Sequence, residues 1–259
     1  MKIGIYDSGI GGLSVLHHAR KVLPDAEFIY YADEDHVPYG EKSREEIRGF
    51  VEETLNFLLD KGVDAVVIAC NTATSVAEKS FRDSYPIPIV GMEPAVKKAV
   101  HEKHENKRVL VMATPITIYG TKLKNLIDLV DSDHIVDKLP LPGLVRFAER
   151  LEFESREVEN YLKNELQGLP LEEYGYIVLG CTHFNYFKRQ IKAVFPGEIT
   201  FVDGNEGTIR QLMRLLPEEK EACAQPGVTY YYSGRPVNDY QLGQIDRYLE
   251  QLEEMYEIH

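Results

Sequence analysis

The chain has 259 residues, 44% hydrophobic and 27% charged, which is enough to bury a core without disulfide staples. Domains typically run roughly 100–200 residues, so two modest domains are expected. Forty-two acidic against 29 basic residues leave a formal charge of −13, which repels phosphate backbones and anionic lipid and argues against nucleic-acid and membrane partners.

Along the chain, short β-rich runs alternate with amphipathic stretches, the pattern of βα units around mainly parallel sheets. The first predicted strand, Lys2 to Tyr6, is followed at once by the acidic Asp7, whereas a secretory leader needs a longer apolar run. No stretch approaches membrane-spanning length, and a cytoplasmic protein is expected. Asp7 leads into Ser8-Gly9-Ile10-Gly11-Gly12-Leu13, a glycine-rich turn before a predicted helix. The turn lacks the third glycine of a dinucleotide loop and the Lys-Ser/Thr of a phosphate loop. It suits a carboxylate held on backbone N–H groups, with Asp7 free to accept an ammonium or bond a thiol.

A second strand, Phe28 to Tyr31, precedes the turn Val37-Pro38-Tyr39-Gly40, at the sheet edge where Asp7 lies. Tyr39 reads equally well as a surface tyrosine or a site residue. A helix from Ser43 to Asp60 leads to a strand from Ala65 to Ala69, which ends on Cys70-Asn71-Thr72. A strand (Ile87 to Val90), a helix (Glu93 to His101), a strand (Arg108 to Ala113) with Thr114 just after it, and a strand (His134 to Lys138) follow. Glu149 then falls on a short amphipathic helix, where a solvated acid is the default. A helix (Ser155 to Glu165), strands at Tyr176 to Leu179, Ile199 to Val202 and Val228 to Tyr232, and a helix (Asn238 to Glu253) complete the order. The polar stretches His101 to Lys107 and Gly204 to Gly207 mark candidate crossings between domains. They give one lobe of residues 1–97 plus 207–259 and an inserted second lobe of residues 98–206.

One internal echo stands out. Val63 to Thr72 and Tyr174 to His183 are each an apolar strand ending in a small residue, a cysteine and polar groups. Ligands of parallel sheets bind outside the carboxyl ends of the strands. If two related halves face each other, Cys70 and Cys181 would enter one cleft from opposite sides. A single strand-end cysteine reads as a small buried hydrophobe. Two, each opening a βα turn whose N–H groups and dipole favour a thiolate, point to function.

Cys223 has no such context, and three scattered cysteines build no disulfide framework. His183 makes a Cys-x-His pair with Cys181, but no second pair completes a zinc set. A Cys–His hydrolase dyad leaves one cysteine without a role. His17, His18, His101 and His104 fall on predicted helices as solvated residues. Two thiols flanking one carbon suit inversion of a stereocentre, in which a proton leaves one face and another arrives on the opposite face. The carbanion-like state then needs oriented donors and exclusion of water, for which lobe closure is the natural means.

Asp7 to Leu13, Pro38-Tyr39-Gly40, Ala69 to Thr74, Gly91-Met92-Glu93-Pro94, Ala113-Thr114 and Leu179 to His183 together resemble the glutamate racemases of the aspartate/glutamate racemase superfamily, over nearly the whole chain. The resemblance implies two α/β lobes with the active site between them. It also implies a homodimer and cofactor-free interconversion of L- and D-glutamate for peptidoglycan. By the same resemblance Cys70 acts on D-glutamate with Asp7, and Cys181 acts on L-glutamate with Glu149 and His183. Ser8, Tyr39, Gly40, Asn71, Thr72, Thr114 and Thr182 join Asp7 and His183 at substrate-binding positions. Asn185, Leu141 and Arg146 depart from the usual proline, cysteine and proline. An aspartate racemase, a related decarboxylase with one active-site cysteine and a two-lobed binding protein are the alternatives.

Overall fold

The computed structural model describes residues 1–102, 107–216 and 226–258. Among them ten strands form two sheets flanked by helices, an α/β architecture. In chain order the strands are β1 (Lys2–Asp7), β2 (Glu27–Ala32), β3 (Ala65–Ile68), β4 (Ile89–Gly91), β5 (Arg108–Ala113), β6 (Val136–Pro140), β7 (Tyr174–Leu179), β8 (Thr200–Asp203), β9 (Gly227–Tyr232) and β10 (Arg235–Pro236). The six-stranded sheet runs β10-β9-β2-β1-β3-β4 and the four-stranded one β6-β5-β7-β8. Every described pairing is parallel except β10 with β9.

The central strands β1, β3 and β7 are apolar runs because helices cover both of their faces. Register then places the chemistry: Tyr6 pairs with Ile68, so Ser8 and Cys70 emerge side by side past the strand ends, with Asp7 the last residue of β1. Met112 pairs with Leu179, which puts Thr114 beside Cys181 in the same way. Ser43, Ser155 and Asn238, expected as first helical residues, are N-caps, and Ser43 and Asn238 close reciprocal capping boxes with Glu46 and Gln241. The helix expected from Glu93 begins only at Val96, after Pro94. His134 has φ 55°, a left-handed turn that delays β6 to Val136.

One apolar cluster joins the two sheets through Leu16, Val67, Leu144, Phe184, Tyr186 and Tyr248. Full burial of each such aliphatic side chain contributes about 1.5–3 kcal/mol. His17 and His18 are half-buried rather than solvated, and His17 Nε2 meets Glu253 Oε2 at 2.5 Å; His101 is exposed. The reading of His104 as solvated and of Cys223 as structural falls outside the described residues, as does part of the His101 to Lys107 crossing. Among the described residues no helix is long and apolar enough to cross a membrane.

Candidate active site

Cys70 N-caps the short helix Asn71–Val76, and its Sγ accepts the Ala73 N–H at 3.4 Å. Its thiol donates to Ser8 Oγ at 3.5 Å. Cys181 follows β7 after Gly180 and opens the 3-10 turn Thr182–Phe187, with Sγ 3.8 Å from His183 Nδ1. Both cysteines line one cleft with Ser8, Tyr39, Gly40, Asn71, Thr72, Thr114, Thr182 and His183. A larger cavity of ≈ 900 Å³ opens beside Lys79, Arg82, Lys97 and Arg210, away from either thiol. The shared cleft has a volume of only ≈ 20 Å³, and a single water needs about 10–15 Å³.

Side chains from the two sheets meet across this cleft. Thr182 Oγ1 donates to Asp7 Oδ1 at 3.3 Å, and the Thr72 and Thr114 hydroxyls are 2.8 Å apart. Arg146 pairs with Glu41 at the mouth. The glycine-rich turn holds carboxylates, as its N–H groups suggest, but they are the protein's own: Gly9 N–H donates to Asp7 Oδ2 at 3.3 Å and Ile10 N–H to Glu149 Oε1 at 3.2 Å. Its glycines serve close approach. A Cβ on Gly9 would collide with Glu149 Oε1, and one on Gly11 would strike His183 Nδ1 and lie 2.5 Å from Thr182 Oγ1.

Burial dominates the electrostatics. It pushes the Cys70 thiol up to about 12, with the Asp7 charge adding to the rise and the hydrogen bonds with Ala73, Ser8 and Thr72 opposing it. Cys181 is raised well above its ordinary value by burial and then by Cys70, against the His183 N–H. The turn donors expected to favour a thiolate are present at both, but desolvation outweighs them and both sulfurs hold their protons. Asp7 is raised to about 6 by burial, against His183 and the Gly9 and Gly12 N–H groups.

Glu149 is raised to about 8 by burial, and burial lowers His183. The two meet at 2.5 Å between Oε1 and Nε2. That contact places one proton between the facing atoms, so the two act as a pair rather than as a separate acid and base. Asn71 Oδ1 is buried with no hydrogen-bond partner among the described residues. It is an acceptor at the cleft wall, of the kind an ammonium would satisfy.

Tyr39 is buried, so it is not the surface tyrosine the sequence also allowed. Its hydroxyl donates to Asp33 Oδ2 at 2.6 Å and sits 2.6 Å from the Tyr6 hydroxyl. Asp33 and Tyr6 had no place in the sequence reading. The signal for Asp33 was available, since it follows β2 as directly as Cys70 follows its own strand end. No group of three or more His, Cys, Asp or Glu among the described residues could hold a metal ion.

Residues 14–212 match the family described as Asp/Glu/Hydantoin racemase. The chain is 50% identical to the glutamate racemase of Campylobacter curvus, over the full length of both. Among solved structures it resembles Escherichia coli glutamate racemase in complex with L-glutamate and the activator UDP-MurNAc-ala, at 30% identity and TM-score 0.78, covering 88% of each chain. It also resembles the Francisella tularensis glutamate racemase in complex with D-glutamate, at 28% identity and TM-score 0.77, covering 97% of this chain and 93% of that one.

Proposed function

Because the chain belongs to the Asp/Glu/hydantoin racemase family, we propose that it interconverts L- and D-glutamate, with Cys70 and Cys181 exchanging the α-proton across one cleft. The observation that carries this reading is the pair of thiols at equivalent strand ends, lining the same cavity from two different sheets. The bound L- and D-glutamate of the relatives supports the choice of substrate.

An ionised thiol in so buried a place costs several kcal/mol at neutral pH, at about 1.36 kcal/mol per pKa unit. The substrate's α-ammonium, placed against Asp7 and the Asn71 carbonyl, offsets that cost. From D-glutamate the Cys70 thiolate takes the α-proton, and the Cys181 thiol supplies one on the opposite face. In the other direction the roles exchange. On the Cys181 side, His183 Nδ1 faces the sulfur and Nε2 faces Glu149. When Cys181 is a thiol, Nδ1 accepts from it. When Cys181 is a thiolate, its own proton having gone to the α-carbon, the imidazole proton moves from Nε2 to Nδ1 and faces the sulfur. No resident cofactor enters this scheme.

A cleft of ≈ 20 Å³ cannot admit glutamate. Separation of residues 98–206 from residues 1–97 plus 207–259 would break the Thr182–Asp7 and Thr72–Thr114 contacts, and closure would restore them around the substrate with water excluded. The same reading takes the protein as a cytoplasmic homodimer that supplies D-glutamate for peptidoglycan biosynthesis.

Circular dichroism of each glutamate and aspartate enantiomer, incubated with protein freed of pyridoxal phosphate, tests the proposal. Both glutamate enantiomers are expected to lose optical activity while aspartate keeps it. Either Cys70→Ala or Cys181→Ala is expected to stop the change. Undiminished α-proton exchange into heavy water by both variants would overturn the thiol assignment.

A further inference from the structure

Behind the loop that carries Cys181 lies a second polar cavity, of ≈ 200 Å³. Its walls are the first helix (Leu13–Val22), the segment from Thr182 to Lys192, the end of β8 with the helix Asn205–Leu215, and the last helix (Asp239–Tyr256). Three of its groups lack the partners their chemistry calls for. Ser14 is 4% exposed, and its Oγ has no hydrogen-bond partner among the described residues, although a helical serine can ordinarily bond the carbonyl one turn back. The Lys188 ammonium is partly buried and makes no direct hydrogen bond or ion pair to any described residue; burial lowers its pKa, and the Asp203 charge across the space opposes that fall. Asp203 presents a carboxylate to the same space, with Oδ1 taken by the Asn205 N–H at 2.9 Å.

The other charges near this cavity are already satisfied. Lys98 pairs with Glu206 at 3.3 Å, and His17 is bound to Glu253. Burial lowers the pKa of both His17 and His18, which favours the neutral imidazoles. One cation and one anion therefore face a shared polar space without contacting each other, and a buried hydroxyl beside them is unused. The volume falls below the roughly 300–1,000 Å³ of pockets that take drug-sized ligands.

We propose that this cavity is a binding site for a small zwitterionic α-amino acid, whose carboxylate is held by Lys188 and the Ser14 hydroxyl and whose ammonium is held by Asp203. The occupant would lie next to Asn185, which lines the cavity and donates through Nδ2 to the Thr182 carbonyl at 3.2 Å. Thr182 in turn bonds Asp7 across the cleft. Occupancy thus stiffens the segment that positions Cys181, a consequence for turnover that rests on the racemase reading; the binding itself does not.

Isothermal titration calorimetry with L-alanine as the probe, in the presence of saturating D-glutamate, tests the site. Saturable binding is expected in the natural sequence and in Cys70→Ala. It should weaken by about tenfold or more, about 1.4 kcal/mol, in Lys188→Gln and in Asp203→Asn, with Ser14→Ala as a milder third variant. Propionate and ethylamine, each carrying half of the zwitterion, should bind about tenfold more weakly than alanine. Absence of binding, displacement by D-glutamate, or equal affinity in Lys188→Gln and Asp203→Asn would overturn the site. Unchanged kcat and KM for glutamate at saturating alanine would overturn the coupling while leaving the site standing.

Discussion

Cys70 and Cys181 occupy the same position in two echoing βα turns, yet their surroundings differ in kind. Cys70 caps a true helix, takes a backbone N–H from Ala73 and faces Ser8, with the Asp7 carboxyl nearby. Cys181 opens a 3-10 turn, makes no side-chain cap bond, and faces an imidazole backed by the part-buried Glu149 carboxyl. The backbone repeats while the acid–base partners do not. One proton transfer therefore depends on fixed donors and a carboxylate, and the other on a movable proton in the Glu149–His183 pair.

The largest expected effect treats the two sulfurs alike. Either cysteine-to-alanine change should lower the rate of glutamate racemisation by about 10²–10⁴-fold, the scale of a positioned acid–base group. A smaller effect separates them. Enantiomers are equal in energy, so kcat/KM must match in both directions, and asymmetry appears in isotope effects instead. Glu149→Gln should raise the primary deuterium effect with α-deuterated L-glutamate, and Asp7→Asn should raise it with the D-enantiomer. Equal increases for both substrates in both variants would erase the distinction drawn between the two sides.

The glycine turn touches both sides at once. Gly11→Ala drives a Cβ into His183 and Thr182, an overpacking that should cost about 1–3 kcal/mol in denaturant unfolding. It should also raise the isotope effect with L-glutamate more than with D-glutamate. A stability unchanged from the natural sequence would mean that the turn has room to give.

The pH dependence of stability follows from Asp7, raised from 3.8 to about 6 by burial. The folded chain then keeps a proton that the unfolded chain loses. The resulting stabilisation is complete below about pH 4 and is lost as pH rises through about 6, with a span of about 3 kcal/mol at 1.36 kcal/mol per pH unit. Asp7→Asn has no such proton to lose. Its unfolding free energy relative to the natural sequence should climb between pH 4 and pH 7 in calorimetric scans. Parallel curves would mean that Asp7 is solvated, and with it the Cys70 side of the cleft.

The strands were legible because period and β-branched composition mark them locally, and the cysteine pair was legible because the echo repeats within the chain. Glu149 was not, since its partner Ile10 lies 139 residues away and a lone acid on an amphipathic helix looks solvated. Only the family resemblance singled it out. The glycines were visible but half understood: their N–H groups do hold carboxylates, and the identity of those carboxylates depends on how the second sheet packs against the first. Asp33 and Tyr6 went unnoticed for the same reason, because the hydroxyl chain through Tyr39 exists only once β1, β2 and the turn after β2 are assembled.

The smallest expected effect lies at the rim. Arg146 and Glu41 meet across the mouth of the cleft with side chains 58% and 46% exposed, so the pair should contribute no more than about 1 kcal/mol. Arg146→Gln should leave the isotope effects of both enantiomers alone and change KM by a modest factor through easier opening. That change should fade toward 1 M salt, where the Debye length falls to about 3 Å. Yet Arg146 stands on the helix Pro142–Glu149, whose last residue is the carboxyl behind His183. If Arg146→Gln instead raised the isotope effect with L-glutamate alone, and did so at high salt as well, the rim contact would be acting through that helix on Glu149. The asymmetry between the two thiols would then extend from the cavity floor to its mouth.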